Sequence, residues 1–260
     1  MSVLERFRLE GRRALITGGS RGLGRAMAQA LAEAGADLIL VGRTEADLAS
    51  AQQELQRQTG RSVHFLVADV GQPSEALGVA DAALATGPID ILINNVGGRR
   101  EDIPPEAICA ASWQRYLDLN LTSAVLLTQR LVGPMLQRCW GRIVNIASIA
   151  GPMITFKGIG GRHYETAKAA LAGFTRAVAA DWADRGVTVN AICPGVFFTE
   201  PNQRWARERP DWQQRVLSQI PMGRFGQPEE IGPLVVYLCS PAAAYVTGAL
   251  IPIDGGFTLW

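Results

Sequence analysis

The chain has 260 residues, 48% of them hydrophobic and 19% charged, which is the composition of a globular protein rather than a disordered one. Twenty-five basic residues against 24 acidic ones leave a formal net charge of +1, so there is no electrostatic footprint for nucleic acid. Four scattered cysteines without a CxxC pair, and only two histidines, argue against a disulfide framework and a His-rich metal site.

No apolar run follows the charged N-terminus, so no secretory signal is expected, and free thiols suit a reducing cytoplasm. Short apolar strands alternate with helical patterns along the rest of the chain. Strands are expected at Ala14–Thr17, Asp37–Val41, Val63–Val67, Ile89–Ile93, Arg142–Ala147, Val187–Ile192 and Leu250–Ile253. Helices are expected at Leu23–Ala34, Glu45–Arg57, Ala76–Thr86, Tyr164–Asp184 and Pro228–Leu238, and over much of Trp113–Cys139. Ile231 to Ile253 carries no charge, but Pro233, Pro241, Gly248 and Pro252 break it into pieces too short to span a bilayer. A buried helix followed by a buried strand is expected there instead. Strands apolar on both faces, each followed by a helix, imply one α/β domain over residues 1–260. It is a doubly wound parallel sheet of about seven strands with helices on both faces. Ligands of such sheets bind at the carboxyl ends of the strands.

After the first strand comes Thr17-Gly18-Gly19-Ser20-Arg21-Gly22-Leu23-Gly24. Its glycines allow a tight turn and let backbone N–H groups approach a pyrophosphate at a helix N-terminus. The second strand ends Val41-Gly42-Arg43-Thr44, with no acid to bind a ribose 2′-hydroxyl. Arg43 and Arg21 are placed to meet a 2′-phosphate, which favours NADP(H) over NAD(H). Two solvated surface arginines are the plainer alternative.

The glycine loop, the element order and a set of motifs resemble the short-chain dehydrogenase/reductase family from Thr17 to Gly256. The motifs are Asp69-Val70, Asn94-Asn95-x-Gly97, Asn120, Ser148, Tyr164-x-x-x-Lys168, Pro194-Gly195 with Thr199, and Asp254-Gly255-Gly256. The resemblance implies a Rossmann-like fold and a homotetramer joined through its long helices and the apolar stretch Ala242–Trp260. It also implies that Asp69 and the Val70 amide bind adenine, and that Asn94 and Gly97 wall the cofactor groove. Asn120 would hold a water in a proton relay, and Thr199 would meet the nicotinamide carboxamide. Glycine-loop residues, Asn95, Pro194, Gly195, Tyr164 and Lys168 complete the implied cofactor contacts. Structural alternatives stand beside these: Asp69 as a turn cap, and Asn94-Asn95 as a strand-ending turn.

Tyr164 and Lys168, four apart in a helical pattern, share a face. A free tyrosine has a pKa of about 10. An ammonium beside it is expected to lower that value and make Tyr164 an acid/base. Ser148 can hold the substrate oxygen next to it, while Lys168 would also bind ribose, as the resemblance suggests. His163 should point elsewhere, and Cys193 reads as packing. The expected reaction interconverts a secondary alcohol and a ketone. A 3-oxoacyl-carrier-protein-type reductase and a non-catalytic dinucleotide sensor or scaffold are the alternatives.

Two features depart from the family pattern. Val96 replaces an alanine and is bulky enough to crowd the groove. The approach from Ser148 to Tyr164 is longer, with a glycine-rich Lys157–Arg162 that reads as a flap or as a tolerated insertion. The loops expected around the site carry Arg99, Arg100, Lys157, Arg162, Arg204, Arg207 and Arg209 against Glu101, Asp102, Glu200 and Glu208, a net +3. A substrate bearing a carboxylate or phosphate would suit that field; a solvated amphipathic lid would give the same count. The lid is expected over about 196–222, with Trp205 and Trp212 capping the substrate or anchoring the lid.

Overall fold

In the computed structural model, which describes residues 2–99, 101–156 and 161–259, seven parallel strands form one sheet in the order β3-β2-β1-β4-β5-β6-β7. The elements run β1 (Arg13–Thr17), α1 (Gly22–Glu33), β2 (Asp37–Gly42), α2 (Glu45–Thr59), β3 (Val63–Val67), α3 (Pro73–Ala85) and β4 (Ile91–Asn94). Then follow α4 (Ala110–Leu117), α5 (Ser123–Gln137), β5 (Gly141–Ile146), α6 (Arg162–Trp182), β6 (Val187–Pro194), α7 (Glu200–Glu208), α8 (Pro210–Leu217), α9 (Gly232–Cys239) and β7 (Leu250–Ile253).

Both faces of the sheet are covered, as continuous apolar strands require. Ala14 and Ile16 of β1 join Met27 and Leu31 of α1 and Leu238 of α9 in one core. Leu15, between them, faces Ala80 of α3 and Leu131 of α5 in the other. Each fully buried leucine or isoleucine in these cores contributes about 1.5–3 kcal/mol. A third cluster, with Ala147, Cys193, Val216, Ile220, Phe225 and Phe257, sits beneath α8. It ties the 196–222 segment to the carboxyl end of the sheet.

The last strand departs from expectation. β7 is half-exposed and its Pro252 is exposed, because it is the edge of the sheet. A proline without an N–H is tolerated at an edge, where no ladder partner waits. No described helix is long and apolar enough to cross a membrane. The 196–222 segment is helical in two short pieces, α7 and α8, each with a proline in its first turn. The other surprise lies between α4 and α5, where Asp118–Thr122 winds as a single π turn with Asn120 at its centre. Such turns are rare and cluster at functional sites.

Candidate active site

The strand order reverses between β1 and β4, and the loops after these two strands open a cleft of about 1130 Å³. Gly18, Ser20, Arg21, Gly22, Leu23, Gly24, Arg43, Asp69, Val70, Asn95, Gly97, Ser148, Tyr164, Lys168, Pro194, Gly195 and Thr199 all line it. Asn120, 1% exposed, and Asn94, 4% exposed, stand behind the wall.

The glycine loop is fixed by what its glycines touch. Gly18 turns with φ +66°, and a side chain there would meet Asn95 Nδ2 at 2.9 Å. Gly24, inside α1, leaves no room at all: a Cβ would lie 2.0 Å from the Gly18 carbonyl oxygen. Asn95 closes the arrangement by donating from Nδ2 to the Thr17 carbonyl at 2.8 Å. Asn94 belongs to the core rather than to the groove wall. Its Nδ2 donates to Asn145 Oδ1 at 2.8 Å and to Thr128 Oγ1 at 3.1 Å. Val96 is accommodated, its N–H donating to Thr17 Oγ1 at 3.0 Å and its side chain packing on the second core.

The two arginines expected at a 2′-phosphate end on different carboxylates. Arg43 lies 3.7 Å from Asp69, and Arg21 3.7 Å from Glu200 at the start of α7. Both arginines are well exposed, so neither pair holds its guanidinium strongly. Asp69 also accepts from the Gly71 N–H at 3.1 Å, so it caps its own turn as well as lining the cleft.

At the other end, Tyr164 and Lys168 share the inner face of α6. The Lys168 ammonium is buried and donates to the Ile146 carbonyl at 2.7 Å. Burial lowers its pKa to about 8. Its two remaining N–H groups are free to serve a ligand. Asn120 accepts from the Gly98 N–H at 2.8 Å and donates to the Tyr116 carbonyl at 3.1 Å. A side chain at Gly97 would meet both Asn120 Oδ1, at 2.7 Å, and Lys168 Nζ, at 2.8 Å. Glycine there lets the two approach the same point.

Tyr164 behaves differently from the expectation drawn from its spacing to Lys168. Burial raises the phenol's pKa; the Ser148 hydrogen bond and the Arg99 charge pull it the other way, and Glu165 and Cys193 add to the rise. The Arg99 guanidinium carbon stands 5.9 Å from the Tyr164 ring centroid. His163 points away from the cleft and is fully buried, its ring 3.6 Å from that of Tyr116. Burial lowers its pKa and keeps it neutral. Cys193 is buried in β6, and burial raises its thiol to about 11, in keeping with packing.

Lys168 also gives a prediction about stability. Its folded pKa of about 8 lies below the unfolded value of 10.5, so the unfolded chain binds the extra proton between those limits. Stability therefore rises with pH across that window. Calorimetry of the cofactor-free protein at pH 7.5 and 9.5 should show wild type gaining Tm relative to Lys168→Met. Parallel behaviour of the two proteins would refute the buried ammonium.

Of the seven basic residues counted around the site, Arg99, Arg204 and Arg207 line the cleft. Arg209 turns away to Asp102 at 3.5 Å, and Arg162 to Glu165. Arg100 and 157–160 lie outside the described residues, so most of the glycine-rich approach does too. Arg215 lines the cleft and was missed, because only the helical winding of α8 turns it inward. Trp205 and Trp212 meet edge to face, centroids 5.8 Å apart, and both line the cleft while Trp212 reaches Phe225 at 6.1 Å. Both rings thus pack within the 196–222 segment and face the cleft. Among the described residues no cluster of His, Cys, Asp or Glu could hold a metal ion.

A family model described as Enoyl-(Acyl carrier protein) reductase matches residues 18–258. Galactitol 2-dehydrogenase (L-tagatose-forming) of Cereibacter sphaeroides is 38% identical over 254 residues, 98% of each chain. The chain belongs to the short-chain dehydrogenase/reductase family. Another relative, 2-dehydro-3-deoxy-D-gluconate 5-dehydrogenase of Bacillus subtilis (strain 168), is 38% identical over 256 residues, covering 96% of each chain. Among solved structures, a 3-oxoacyl (acyl-carrier-protein) reductase from Agrobacterium tumefaciens C58 with NADP bound superposes with a TM-score of 0.91. It is 32% identical, and the match covers 98% of this chain and 97% of that one. Like its relatives, this member of the short-chain dehydrogenase/reductase family is an oxidoreductase.

Proposed function

We propose that this enzyme uses NADP(H) to interconvert a secondary alcohol and a ketone on a small substrate carrying an anionic group. The observation that carries the reaction is that Ser148, Tyr164 and Lys168 line the same cleft as the glycine loop. NADP(H) fits the other half. Gly18, Gly22 and Gly24 line the cleft where α1 begins, and the tip of β2 carries Arg43 rather than an acid. Arg43 and Arg21 line that end of the cleft and would bind the phosphate. When bound, the nicotinamide would supply the hydride in reduction and accept it in oxidation. The chain supplies the proton. In reduction Ser148 Oγ–H holds the carbonyl oxygen, and Tyr164 Oη–H protonates it as negative charge develops. In oxidation Tyr164 Oη takes the hydroxyl proton.

The anionic end of the substrate is assigned from charge. Arg99, Arg204, Arg207 and Arg215 line the cleft, against the single acid Glu200 beside them. The pair between Arg204 and Glu208 spans 3.9 Å on an exposed surface and leaves Arg204 available. The relatives act on a polyol in one case and, by name, on a keto-deoxy sugar acid in the other. A carrier-bound acyl chain has less support, since Asp181 and Asp184 are exposed beside the C-terminal end of α6 and would repel an acidic carrier.

The deciding measurement is NADPH oxidation with a keto sugar acid and the matched neutral ketose. At low ionic strength the acid should be preferred by about tenfold in kcat/KM, the worth of one charge-assisted hydrogen bond, and the preference should shrink as salt screens the arginines. Equal efficiency for the two would remove the anionic assignment. No turnover of any carbonyl compound would leave a dinucleotide sensor.

A further inference from the structure

The residue after Tyr164 carries the deepest carboxylate in this part of the fold. Glu165 has a side chain only 7% exposed. Its Oε1 accepts from Arg99 Nη2 at 3.1 Å, and its Oε2 accepts from Arg162 Nη1. Arg162 Nη2 in turn donates to the Phe156 carbonyl at 2.6 Å, and the Phe156 N–H points at Glu165 Oε1 from 3.5 Å. One carboxylate therefore ties together three segments: the loop after β4, the loop after β5 and the first turn of α6. Nothing in the winding of a helix asks for a buried acid at this position, and burying one is costly unless its partners are well placed.

The partner that matters is Arg99. Its side chain is 14% exposed, and it lines the cleft beside Tyr164. It is held on two sides. Glu165 takes one N–H. On the other side a Cβ at Gly161 would lie 2.7 Å from Arg99 Nε, so the glycine leaves room for the guanidinium edge. Arg99 Nη1 makes no hydrogen bond among the described residues, and Nε is buried without a partner. Two arginines share one carboxylate, which leaves a net charge of +1. The planar fork is thus fixed through Nη2 and Nε while the Nη1 N–H groups remain for a ligand.

We infer that Glu165 is a positioning residue: it fixes the Arg99 guanidinium beside Tyr164, where it meets the anionic group of the substrate. This rests on the anionic-substrate reading above. Glu165 touches no substrate itself and acts through Arg99. A purely structural network would stabilise the fold without setting which substrates turn over.

The test uses the full-length enzyme with NADPH, the keto sugar acid and the matched neutral ketose. The readout is the ratio of their kcat/KM values for wild type, Glu165→Gln, Arg99→Gln and the double variant. Glu165→Gln should lower the preference for the acid about tenfold, mostly through its KM. The double variant should show the same ratio as Arg99→Gln alone, because both changes remove one interaction. Arg99→Lys is the companion variant, and it decides the matter even if Glu165→Gln fails to fold. It keeps the charge but spends its compact ammonium on Glu165, so the preference should fall there too. A preference left intact in Glu165→Gln or Arg99→Lys, or additive effects in the double variant, would overturn the inference while the anionic reading stood. A wild-type enzyme with no preference would sink both.

Discussion

Tyr164→Phe is expected to lower kcat for ketone reduction about a thousandfold while NADPH still binds. The figure lies within the range for loss of a general acid. The change removes one oxygen and keeps the ring, so packing and the Arg99 contact survive. Ser148 keeps its acceptor role toward the Ala150 N–H at 3.0 Å. Steady-state NADPH oxidation and a fluorescence titration of NADPH separate chemistry from binding. Turnover within threefold of wild type would take Tyr164 out of the reaction. The direction of the pH dependence follows from the same site. Burial raises the phenol's pKa, so the proton needed for reduction is in place throughout the neutral range. Oxidation needs that proton gone, so alcohol oxidation by the wild type should climb as pH rises above neutrality.

Gly24→Ala should abolish detectable cofactor binding and lower the thermal stability of the protein. A methyl group at Gly24 would sit 2.0 Å from the Gly18 carbonyl oxygen and 2.6 Å from Asn95 Nδ2. Both are rigid: one is backbone, the other is pinned to the Thr17 carbonyl. The first turn of α1 has to move away from β1, at a cost of roughly 1–3 kcal/mol or more for an overpacked contact. The N–H groups of that turn are those a pyrophosphate would use. Titration with NADPH should show affinity at least a hundredfold weaker, and calorimetry a lower Tm. Gly78→Ala, on a helix surface with open space around its Cα, serves as the control and should do neither. Native affinity in Gly24→Ala would mean that the loop binds by some other geometry.

The sheet was legible because its strands are apolar on both faces and glycines or prolines mark most joints. The same logic overstated the burial of β7, since apolar content alone cannot tell an edge from a centre. Glycine spacing placed the phosphate loop, and the order of motifs placed Ser148, Tyr164 and Lys168 in one cleft. What the spacing could not convey was the burial that raises the phenol's pKa, or the arrival of Arg99, remote in sequence, 5.9 Å from the Tyr164 ring. Glu165 went unnoticed for a related reason. Beside an exposed residue such as Thr166 it reads as helix surface, and only the arrival of Arg99 and Arg162 from other segments explains its burial. The lid helices carry weak signals, being short and rich in arginine.

The π turn at Asp118–Thr122 has a consequence for the whole length of chain from Ala110 to Gln137. A regular helix advances ~100° per residue, so one extra residue changes the angular phase of everything after it. Upstream, Tyr116 faces His163 on α6. Downstream, Leu127, Leu131 and Met135 face the sheet with Leu92 and Ile143. An evenly wound rod has one fixed phase and would have to compromise one of these faces. The single wide turn lets the rod answer to two directions, and Asn120 stands where the phase changes, its carboxamide bridging the Gly98 amide on one side and the Tyr116 carbonyl on the other.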